Sequence, residues 1–319
     1  MLGGMPMRVD PDAALSYLDF VVARHQVWER RQIGAPAPWS DDPVLSRRKF
    51  TNVFRVLDAG TQFLLKELIY DDYLYPEAWQ EHAFRCVLYR YTNLPEPWEY
   101  FYRETYEYPT IGDLYDGTLD EVWGAYRATG RPMFSSAYRF GYIPPGSNRL
   151  DVVLGGMRRY FGTALTALDN LGATPAARLD ALQTTLPRCK GFIAMQMLTD
   201  LGYTPRFAAS ENEVVVAGPG AAQGLQIVFP GLPEARYPEA LRRVAEEWLP
   251  TYPGSPQLAL PDGSFRHPSL MDVQNTFCEF FKYHREQGRP AAGEYRPKHS
   301  GRQDPPFVPP HWYARKEPK

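Results

Sequence analysis

The chain has 319 residues, of which 44% are hydrophobic and 23% charged, so it can bury a substantial core, and disorder of the whole chain is excluded. Its 35 lysines and arginines nearly balance its 37 aspartates and glutamates, which excludes a protein that coats nucleic acid through bulk charge. Any contact with DNA must therefore come from local patches. The three widely spaced cysteines exclude a disulfide framework and a cysteine-built zinc site.

The sequence contains no membrane-spanning or secretory pattern. No run approaches about 18 apolar residues, and the N-terminal residues lack the basic and apolar regions of a signal peptide. The six histidines lie without metal-ligand spacing, and no P-loop, zinc-hydrolase or nucleophile-elbow motif occurs. We therefore expect a cytoplasmic protein with no membrane partner, no metal site and no cofactor.

The predicted elements are mainly helical, because helical periodicity fills the intervals between clusters of the 31 prolines and 25 glycines. Helices are predicted at residues 11–30, 43–69, 76–91, 95–106, 118–128, 149–170, 175–185, 189–201, 238–248 and 269–287. Strand material is limited to residues 213–217 and 225–229. We predict a mainly α fold with little or no sheet. It comprises one catalytic domain at 10–288 and an irregular, proline-rich basic tail at 289–319, which either contacts phosphates or is solvated.

The most informative segment is the predicted helix at 269–287. At 100° per residue its polar side chains share an arc of roughly 120°. They are Asp272, Asn275, Thr276, Glu279, Lys282 and Tyr283. A separate arc, expected to face the core, holds Val273, Phe277, Phe280, Phe281 and His284. The polar stripe is either a solvated surface or a functional site, and its short Asp and Asn are poor choices for an exposed helix interior.

A second polar stripe lies within the predicted helix at 43–69. Its members are Arg48, Asn52, Arg55 and Gln62. Amide and guanidinium groups together suit phosphate or base-edge contacts, although they also cap and bridge neighbouring helices. Arg90 and Asn93 repeat this pattern in the helix at 76–91 and just beyond it.

A third feature is the turn within residues 186–194, where Pro and Gly separate two predicted helices. Backbone N–H groups at the start of the second helix, at Gly191, can hold a phosphate, and Lys190 adds charge there. Any helical hairpin can also use Pro and Gly in this way. Farther along the chain lie the carboxylate of Glu213 and a stiff turn whose Gly218 and Gly220 permit close backbone approach.

Four blocks of the sequence resemble a known family in the same order. They are RKFTNVFRVLDAGTQ at 48–62, LPRCKGFIAMQMLTDLGY at 186–203, AGPGAAQGL at 217–225 and DVQNTFCEFFKY at 272–283. The chain resembles the α-glutamyl/putrescinyl-thymine pyrophosphorylase family, which is also similar to the helical domain associated with phage 5-hydroxymethyluracil DNA kinases. The resemblance implies an all-helical fold, distantly similar to helix-hairpin-helix DNA glycosylases. Residues 186–194 take the place of the hairpin, but Arg188 and Lys190 stand where glycine is usual.

The resemblance further implies a DNA glycosylase acting in phage defence. Such an enzyme would flip out a bulky modified base, such as glucosylated 5-hydroxymethylcytosine, from double-stranded phage DNA and leave an abasic site. The oxocarbenium-like transition state needs a carboxylate, for which we favour Asp272, with Glu279 as its partner and Glu213 as the alternative. In the related glycosylases the catalytic Asp follows the hairpin closely, and here that interval holds Asp200, Glu211 and Glu213 rather than Asp272. No cofactor and no obligate protein partner are expected.

Amide and cationic side chains are expected to bind the flipped nucleotide or a sugar attached to it. The candidates are Asn52, Arg55, Gln62, Asn93, Gln274 and Asn275. Tyr89 offers a stacking surface, although core packing is the commoner role of an aromatic residue. Lys282 either pairs with Glu279 or attacks the sugar to form a Schiff base. We predict a monofunctional enzyme without such an adduct.

Two other functions stay open from the sequence. In the first, the enzyme displaces pyrophosphate from a modified thymine by an amine, and Arg48, Arg55 and Lys190 hold the leaving phosphates. In the second, the chain is a non-catalytic DNA-binding module whose Asp272 and Glu279 belong to a solvated face.

Overall fold

The computed structural model describes residues 6–71, 79–136, 143, 145–170, 172–287 and 304–313. In these ranges the α-helices are α1 (Pro11–Gln32), α2 (Ala59–Phe63), α3 (Trp79–Thr92), α4 (Pro95–Thr105), α5 (Ile111–Asp116), α6 (Thr118–Ala128), α7 (Arg149–Asp169), α8 (Pro175–Thr185), α9 (Gly191–Gly202), α10 (Pro219–Val228), α11 (Tyr237–Arg243) and α12 (Leu270–Glu286). The predicted mainly α fold class is confirmed. None of the helices in the described ranges is long and apolar enough to cross a bilayer.

Shorter elements complete the described secondary structure. Turns of 3₁₀-helix lie at Arg55–Leu57, Glu234–Arg236, Leu249–Thr251 and Pro310–Trp312, and turns of π-helix at Leu64–Ile69 and Val244–Trp248. Strands β1 (Leu258–Ala259) and β2 (Phe265–Arg266) pair antiparallel, with Leu258 opposite Arg266.

The chain divides into two compact units. The first unit comprises Met1–Asp58 with Val215–Lys319, and the second comprises Ala59–Val214. The expectation that residues 10–288 form one catalytic domain stays a prediction. Of the predicted tail, only residues 304–313 are described, so the rest of that prediction lies outside the described residues.

The core of the first unit is formed by α1 against α12. Helix α1 begins after Asp10, whose carboxylate accepts a hydrogen bond from a free N–H of the first turn. The ring of Tyr17 stacks on that of Phe277 with centroids 4.1 Å apart, and Phe20 contacts Phe280 at 5.7 Å. Burial of each such ring stabilises the fold by roughly 1.5–3 kcal/mol.

Helix α10 packs on α12 through two glycines one turn apart. A Cβ atom on Gly224 would lie 2.2 Å from the carbonyl oxygen of Phe277, and one on Gly220 would lie 2.4 Å from Sγ of Cys278. Both distances are far inside van der Waals contact. The glycines therefore allow α10 to approach the backbone of α12 more closely than any other residue would permit.

The second unit has an aromatic core and a tight helical hairpin. The rings of Trp98 and Trp123, both fully buried, meet edge to face at 5.5 Å. The hairpin joins α8 to α9, and its Pro187 lies against Gly156 of α7, where a Cβ atom would be 2.3 Å from the proline ring. The predicted pair of helices flanking residues 186–190 is therefore present.

The predicted helix at 43–69 is wrong over residues 43–58. Side chains bind backbone groups there that a helix would pair internally: Asp42 accepts hydrogen bonds from the N–H groups of Val44 and Leu45, and Arg24 donates to the carbonyls of Thr51 and Asn52. Beyond the short 3₁₀ turn at Arg55–Leu57, the helical part of this segment is α2 and the π-helical turn after it.

The predicted strands are also wrong, and two helices were not expected. Residues 225–228 belong to α10, and residues 213–217 form no strand. Helix α10 has no marked polar face, since its first six residues include two glycines and two alanines. Helix α5 has only six residues and depends on a capping box between Thr110 and Asp113, so its periodicity is too short to detect.

Candidate active site

The buried guanidinium of Arg24, on α1, holds an irregular segment of the first unit, residues 49–58. Its Nε donates to the carbonyl oxygen of Thr51, and its Nη2 donates to the carbonyl oxygen of Asn52 and, at 2.9 Å, to the Thr51 hydroxyl. Arg24 is only 3% exposed, and its Nη1 has no hydrogen-bond acceptor among the described residues. The Nη1 group of Arg24 is therefore a hydrogen-bond donor that is not used in holding the segment.

Asp58 lies at the end of the same segment, and its carboxylate is bound by the chain just before it. The N–H of Asn52 donates to Asp58 Oδ1 at 2.7 Å, while the Asn52 amide donates to the Leu57 carbonyl at 2.6 Å. Burial raises the pKa of Asp58 to about 6, against the lowering effects of the Asn52 N–H and of Arg24; the negative charge of Glu279 raises this pKa further. Asp58 therefore exchanges its proton close to neutral pH.

Glu279 brings a second carboxylate to this place from α12. Its side chain is 13% exposed, and its Oε2 accepts a hydrogen bond from the Thr51 N–H at 3.3 Å and lies 3.4 Å from Nζ of Lys282. The charges of Glu279 and Asp58 both raise the pKa of Arg24, which burial lowers more strongly. We call Arg24, Asp58 and Glu279 the Arg24 cluster.

Lys282 lies at the edge of the Arg24 cluster. Its ammonium donates to the Lys49 carbonyl oxygen and to Glu279, and it lies 4.5 Å from the centroid of the Phe50 ring. The predicted pairing of Lys282 with Glu279 is therefore present. Its alternative role as a nucleophile stays a prediction.

Asp272, the leading catalytic candidate, is buried and fully engaged in hydrogen bonds. Its Oδ2 accepts from the N–H and the hydroxyl of Ser269, each at 2.9 Å, and its own N–H donates to Ser269 Oγ at 3.1 Å, so that the two backbone N–H bonds form the capping box that begins α12. Its Oδ1 accepts from the N–H of Arg55 at 2.7 Å. These three donors make Asp272 the link between α12 and the 3₁₀ turn before Asp58.

The polar stripe of α12 is largely buried, so the alternative of a solvated face is wrong for it. The Thr276 hydroxyl bonds to the Tyr17 hydroxyl at 2.5 Å, and Asp272 is 1% exposed. Two residues assigned to the core arc lie elsewhere, because Phe281 is half-buried and His284 is exposed.

The second predicted stripe does not exist as one helix face, because its segment is not a helix. Arg48 pairs with Glu286 at 2.7 Å, Asn52 binds the backbone as described, and Arg55 is 2% exposed. Gln62 lies in α2, within the second unit. In the first unit, Arg48 lies just before the irregular segment at 49–58 and Asn52 lies within it. Their contacts stabilise the conformation of this segment.

Candidate residues of α3 in the second unit form a buried polar network. Arg90 donates from Nε and Nη2 to the two carboxylate oxygens of Asp200 at 2.7 and 2.8 Å, and from Nη1 to Asn93 Oδ1 at 2.8 Å. The Asn93 amide donates to Ser135 Oγ at 3.0 Å. Tyr89 is fully buried in the aromatic core. These contacts indicate that Arg90, Asn93 and Tyr89 have a structural role. The spacing of these residues in the sequence was compatible with that role and with nucleotide binding alike.

The hairpin of the second unit keeps the shape that the sequence predicted. Helix α9 begins at Gly191, and Lys190 is the exposed residue just before it. Glu213 is exposed and accepts a weak hydrogen bond from the Ser210 N–H at 3.4 Å. Phosphate binding at Lys190 and Gly191, and a catalytic role for Glu213, stay predictions.

The expected stiff turn at Gly218 and Gly220 is wrong. Gly218 is the residue that caps α10, and Gly220 lies inside this helix against Cys278. Helix α12 lies against the side of α10 that carries Gly220, so the close approach is between these two helices. Asn275 of α12, a further candidate, is half-buried.

Comparison with known proteins identifies the family. The family model of the helical domain of 5-hmdU DNA kinase matches residues 12–292. The chain belongs to this helical-domain family. A 5-hmdU DNA kinase of Bacillus phage SP10 is 24% identical over 257 residues, which cover 71% of this chain and 38% of the phage protein. The chain thus spans well under half the length of that relative. No solved structure matches.

The match confirms the similarity to the helical domain of 5-hmdU DNA kinases that the four sequence blocks indicated. It also spans every member of the Arg24 cluster. In the part of the chain that the structure describes, no three His, Cys, Asp or Glu side chains are grouped so as to hold a metal ion.

Sequence reasoning missed Arg24 and Asp58. Both carried a signal: Arg24 lies on the apolar face of α1, three and seven positions after Val21 and Tyr17, and a charge on such a face requires a buried partner. Asp58 lies inside the first sequence block, but it was assigned to a long helix, where it had no special place. Its role follows only from the fold of residues 49–58.

Proposed function

We propose that this helical-domain family member is an enzyme acting on a modified base in DNA, and that the Arg24 cluster is its active site. The family relationship and the name of the phage relative, a 5-hmdU DNA kinase, support DNA with a modified base as the substrate. The observation that carries the proposal is the pair of part-buried carboxylates beside one arginine, one of which has a pKa of about 6. Perturbed carboxylates of this kind cluster at catalytic sites.

The reaction that we propose is hydrolysis of the N-glycosidic bond of the modified nucleotide. A water molecule, deprotonated by Asp58, attacks C1′ of the sugar as the bond to the base breaks, and the base leaves with the bonding electrons. Asp58 suits this step because its raised pKa makes it a stronger base than an ordinary aspartate. Glu279 stabilises the positive charge that develops on the sugar, and Arg24 holds the 49–58 segment, whose backbone N–H groups bind both carboxylates.

Asp272 then acts as a positioning residue. Its three hydrogen bonds leave little capacity to activate water, but they fix the turn at Arg55 that precedes Asp58. The catalytic carboxylate of this proposal is therefore Asp58, in place of the residue that the sequence favoured.

The proposal is tested with duplex DNA that carries 5-hydroxymethyluracil, 5-hydroxymethylcytosine or glucosylated 5-hydroxymethylcytosine, with unmodified DNA beside it. We expect abasic sites, detected by alkaline strand cleavage, on at least one modified duplex. D58N and E279Q should each lower the rate by at least about 100-fold, the usual contribution of a general acid or base. E234Q, an exposed carboxylate of the same unit, is the matched control and should leave the rate unchanged.

A second function, recognition of a modified base without chemistry, is favoured by one observation. The match concerns a helical domain, and it covers 38% of the phage relative, so other parts of that relative can hold its catalytic residues. Tight binding to modified DNA with no abasic sites on any duplex would support recognition and contradict excision. Incorporation of an amine with release of pyrophosphate would instead support displacement chemistry.

A further inference from the structure

Five basic residues lie on two segments of the chain that contact each other beside the Arg24 cluster. The three consecutive residues Arg47, Arg48 and Lys49 lie over the last turns of α12, which bring Lys282 and Arg285. Two contacts set this placement: Lys282 donates to the Lys49 carbonyl oxygen, and Arg48 pairs with Glu286 of the same helix at 2.7 Å. The segment and the helix end are therefore held together by their own charges.

Two of the five charges are matched by acidic neighbours. Arg48 is paired with Glu286, and Lys282 with Glu279. No carboxylate of the described residues pairs with the other three, which are Arg47, Lys49 and Arg285. We call these three residues the basic rim.

The members of the basic rim differ in how firmly they are held. Lys49 and Arg285 are exposed, and the Arg285 guanidinium lies over the ring of Phe281 at 5.6 Å. Arg47 is half-buried, and its Nε donates to the Pro43 carbonyl oxygen at 2.6 Å. The rim thus presents two exposed cationic side chains and one half-buried guanidinium as separate donors, which suits several phosphates along a strand.

We infer that the basic rim binds backbone phosphates of the DNA strand that carries the target nucleotide. This inference rests on the proposed function, since it assigns the strand's path beside the Arg24 cluster. The rim adjoins the Glu279 end of the cluster through Lys282 and the Lys49 carbonyl. Phosphates held there place the sugar between them near the two carboxylates. The net charge of −2 makes such a local patch necessary for DNA binding.

The test measures the binding of duplex DNA over a series of salt concentrations, by fluorescence anisotropy. Each phosphate contact contributes about 0.9 to the slope of log affinity against log salt concentration. K49Q and R285Q should each reduce the slope by about that amount, and the double variant by about twice it. Modified and unmodified duplexes should lose affinity by the same factor, because phosphates carry no base identity.

R242Q is the matched control. This exposed arginine of α11 belongs to the same unit but is paired with Glu246 at 2.9 Å, and its replacement should leave the slope as it is in the native chain. A double variant K49Q/R285Q with native thermal unfolding and an unchanged slope would overturn the inference. Loss of inorganic pyrophosphate binding with an unchanged DNA slope would also overturn it, since the rim would then serve a small anion.

The same measurement separates this inference from the proposed reaction. If no duplex yields abasic sites but the slope falls in K49Q and R285Q, the basic rim binds DNA, and only the excision chemistry is wrong. If abasic sites form and the slope stays constant, excision stands and the strand follows another path.

Discussion

Asp58 and Asp272 are two aspartates of the same unit whose surroundings favour different roles, proton exchange and structural support respectively. Asp272 receives hydrogen bonds from three donors of Ser269 and Arg55, whereas Asp58 receives one from the Asn52 backbone and faces the charge of Glu279. A carboxylate that is saturated with donors is a structural link. One that is desolvated and near a like charge can exchange a proton at neutral pH.

A stability measurement checks the structural assignment of Asp272. D272A removes the capping box of α12 and leaves the buried Arg55 N–H without its acceptor. We expect the free energy of unfolding to fall by about 2–3 kcal/mol, from the lost cap and the unsatisfied donor together. The experiment is urea unfolding followed by circular dichroism. D262N, in an exposed turn before β2, is the control, and a D272A variant as stable as the native chain would remove the link that we describe.

Residue types and spacing predicted the members of the α12 stripe, because side chains that recur every three to four residues must share a face. They did not predict which side of the stripe is buried. The burial of Thr276 depends on the hydroxyl of Tyr17, more than 250 residues earlier in the chain. The importance of Arg24 depends in the same way on carbonyl groups of a segment that sequence periodicity had assigned to a helix.

At the scale of elements, several helices were predicted with accurate bounds. Helix α8, at Pro175–Thr185, matches its prediction at both ends, and α6 does likewise. Helix α10 was missed because its determining feature is its shape: Gly220 and Gly224 provide a flat face for α12. Such complementarity is a property of the pair, and neither segment reveals it alone.

The contact between α10 and α12 gives the prediction at this scale. In G224A the new methyl group would overlap the Phe277 carbonyl oxygen, so the helices must move apart or distort. We expect a loss of about 3 kcal/mol or more in the free energy of unfolding, at the upper end of overpacking effects. Gly162 of α7 has no atom within 4 Å of its Cβ position, so G162A should instead stabilise the chain by up to about 1 kcal/mol.

Thermal unfolding of both glycine variants checks this prediction. Since both substitutions replace a helical glycine by alanine, helix propensity acts in the same direction in both, and the difference reports the helix contact. If the G224A and G162A variants unfolded at the same temperature, α10 and α12 would not be in this close contact.

At the scale of the whole molecule, the sequence candidates divide between the two units. Asp272, Glu279 and Lys282 lie in the first unit, while Arg90 and Lys190 lie in the second. The composition and the periodicity predicted the fold class, because they average over many residues. The division into units follows from contacts that are distant in sequence, since residues 1–58 join residues beyond 214. No local pattern carries that information.

Each unit contains a buried histidine that should make it sensitive to acid. His25 is in the first unit and His82 in the second, and burial lowers the pKa of each to about 4, with a further lowering by Arg24 and Arg85 respectively. A pKa below the unfolded value means that the neutral form stabilises the fold. This stability is complete above pH about 6.5 and is lost as the pH falls through 4. A lowering from 6.5 to about 4 corresponds to roughly 3 kcal/mol for each histidine.

The pKa of Asp58 changes the free energy of unfolding in the opposite direction to the histidines, within nearly the same pH range. Its raised pKa favours the folded chain below pH about 4, and this contribution of roughly 3 kcal/mol is lost as the pH rises through 6. The two histidines together outweigh it, so the native chain should be less stable at pH 4 than at pH 7 by a few kcal/mol. We expect H82Q to flatten the pH dependence of the second unit, and H25Q that of the first. Urea unfolding at pH 4, 5.5 and 7, followed by tryptophan fluorescence, measures this; equal stability of the native chain at all three values would contradict it.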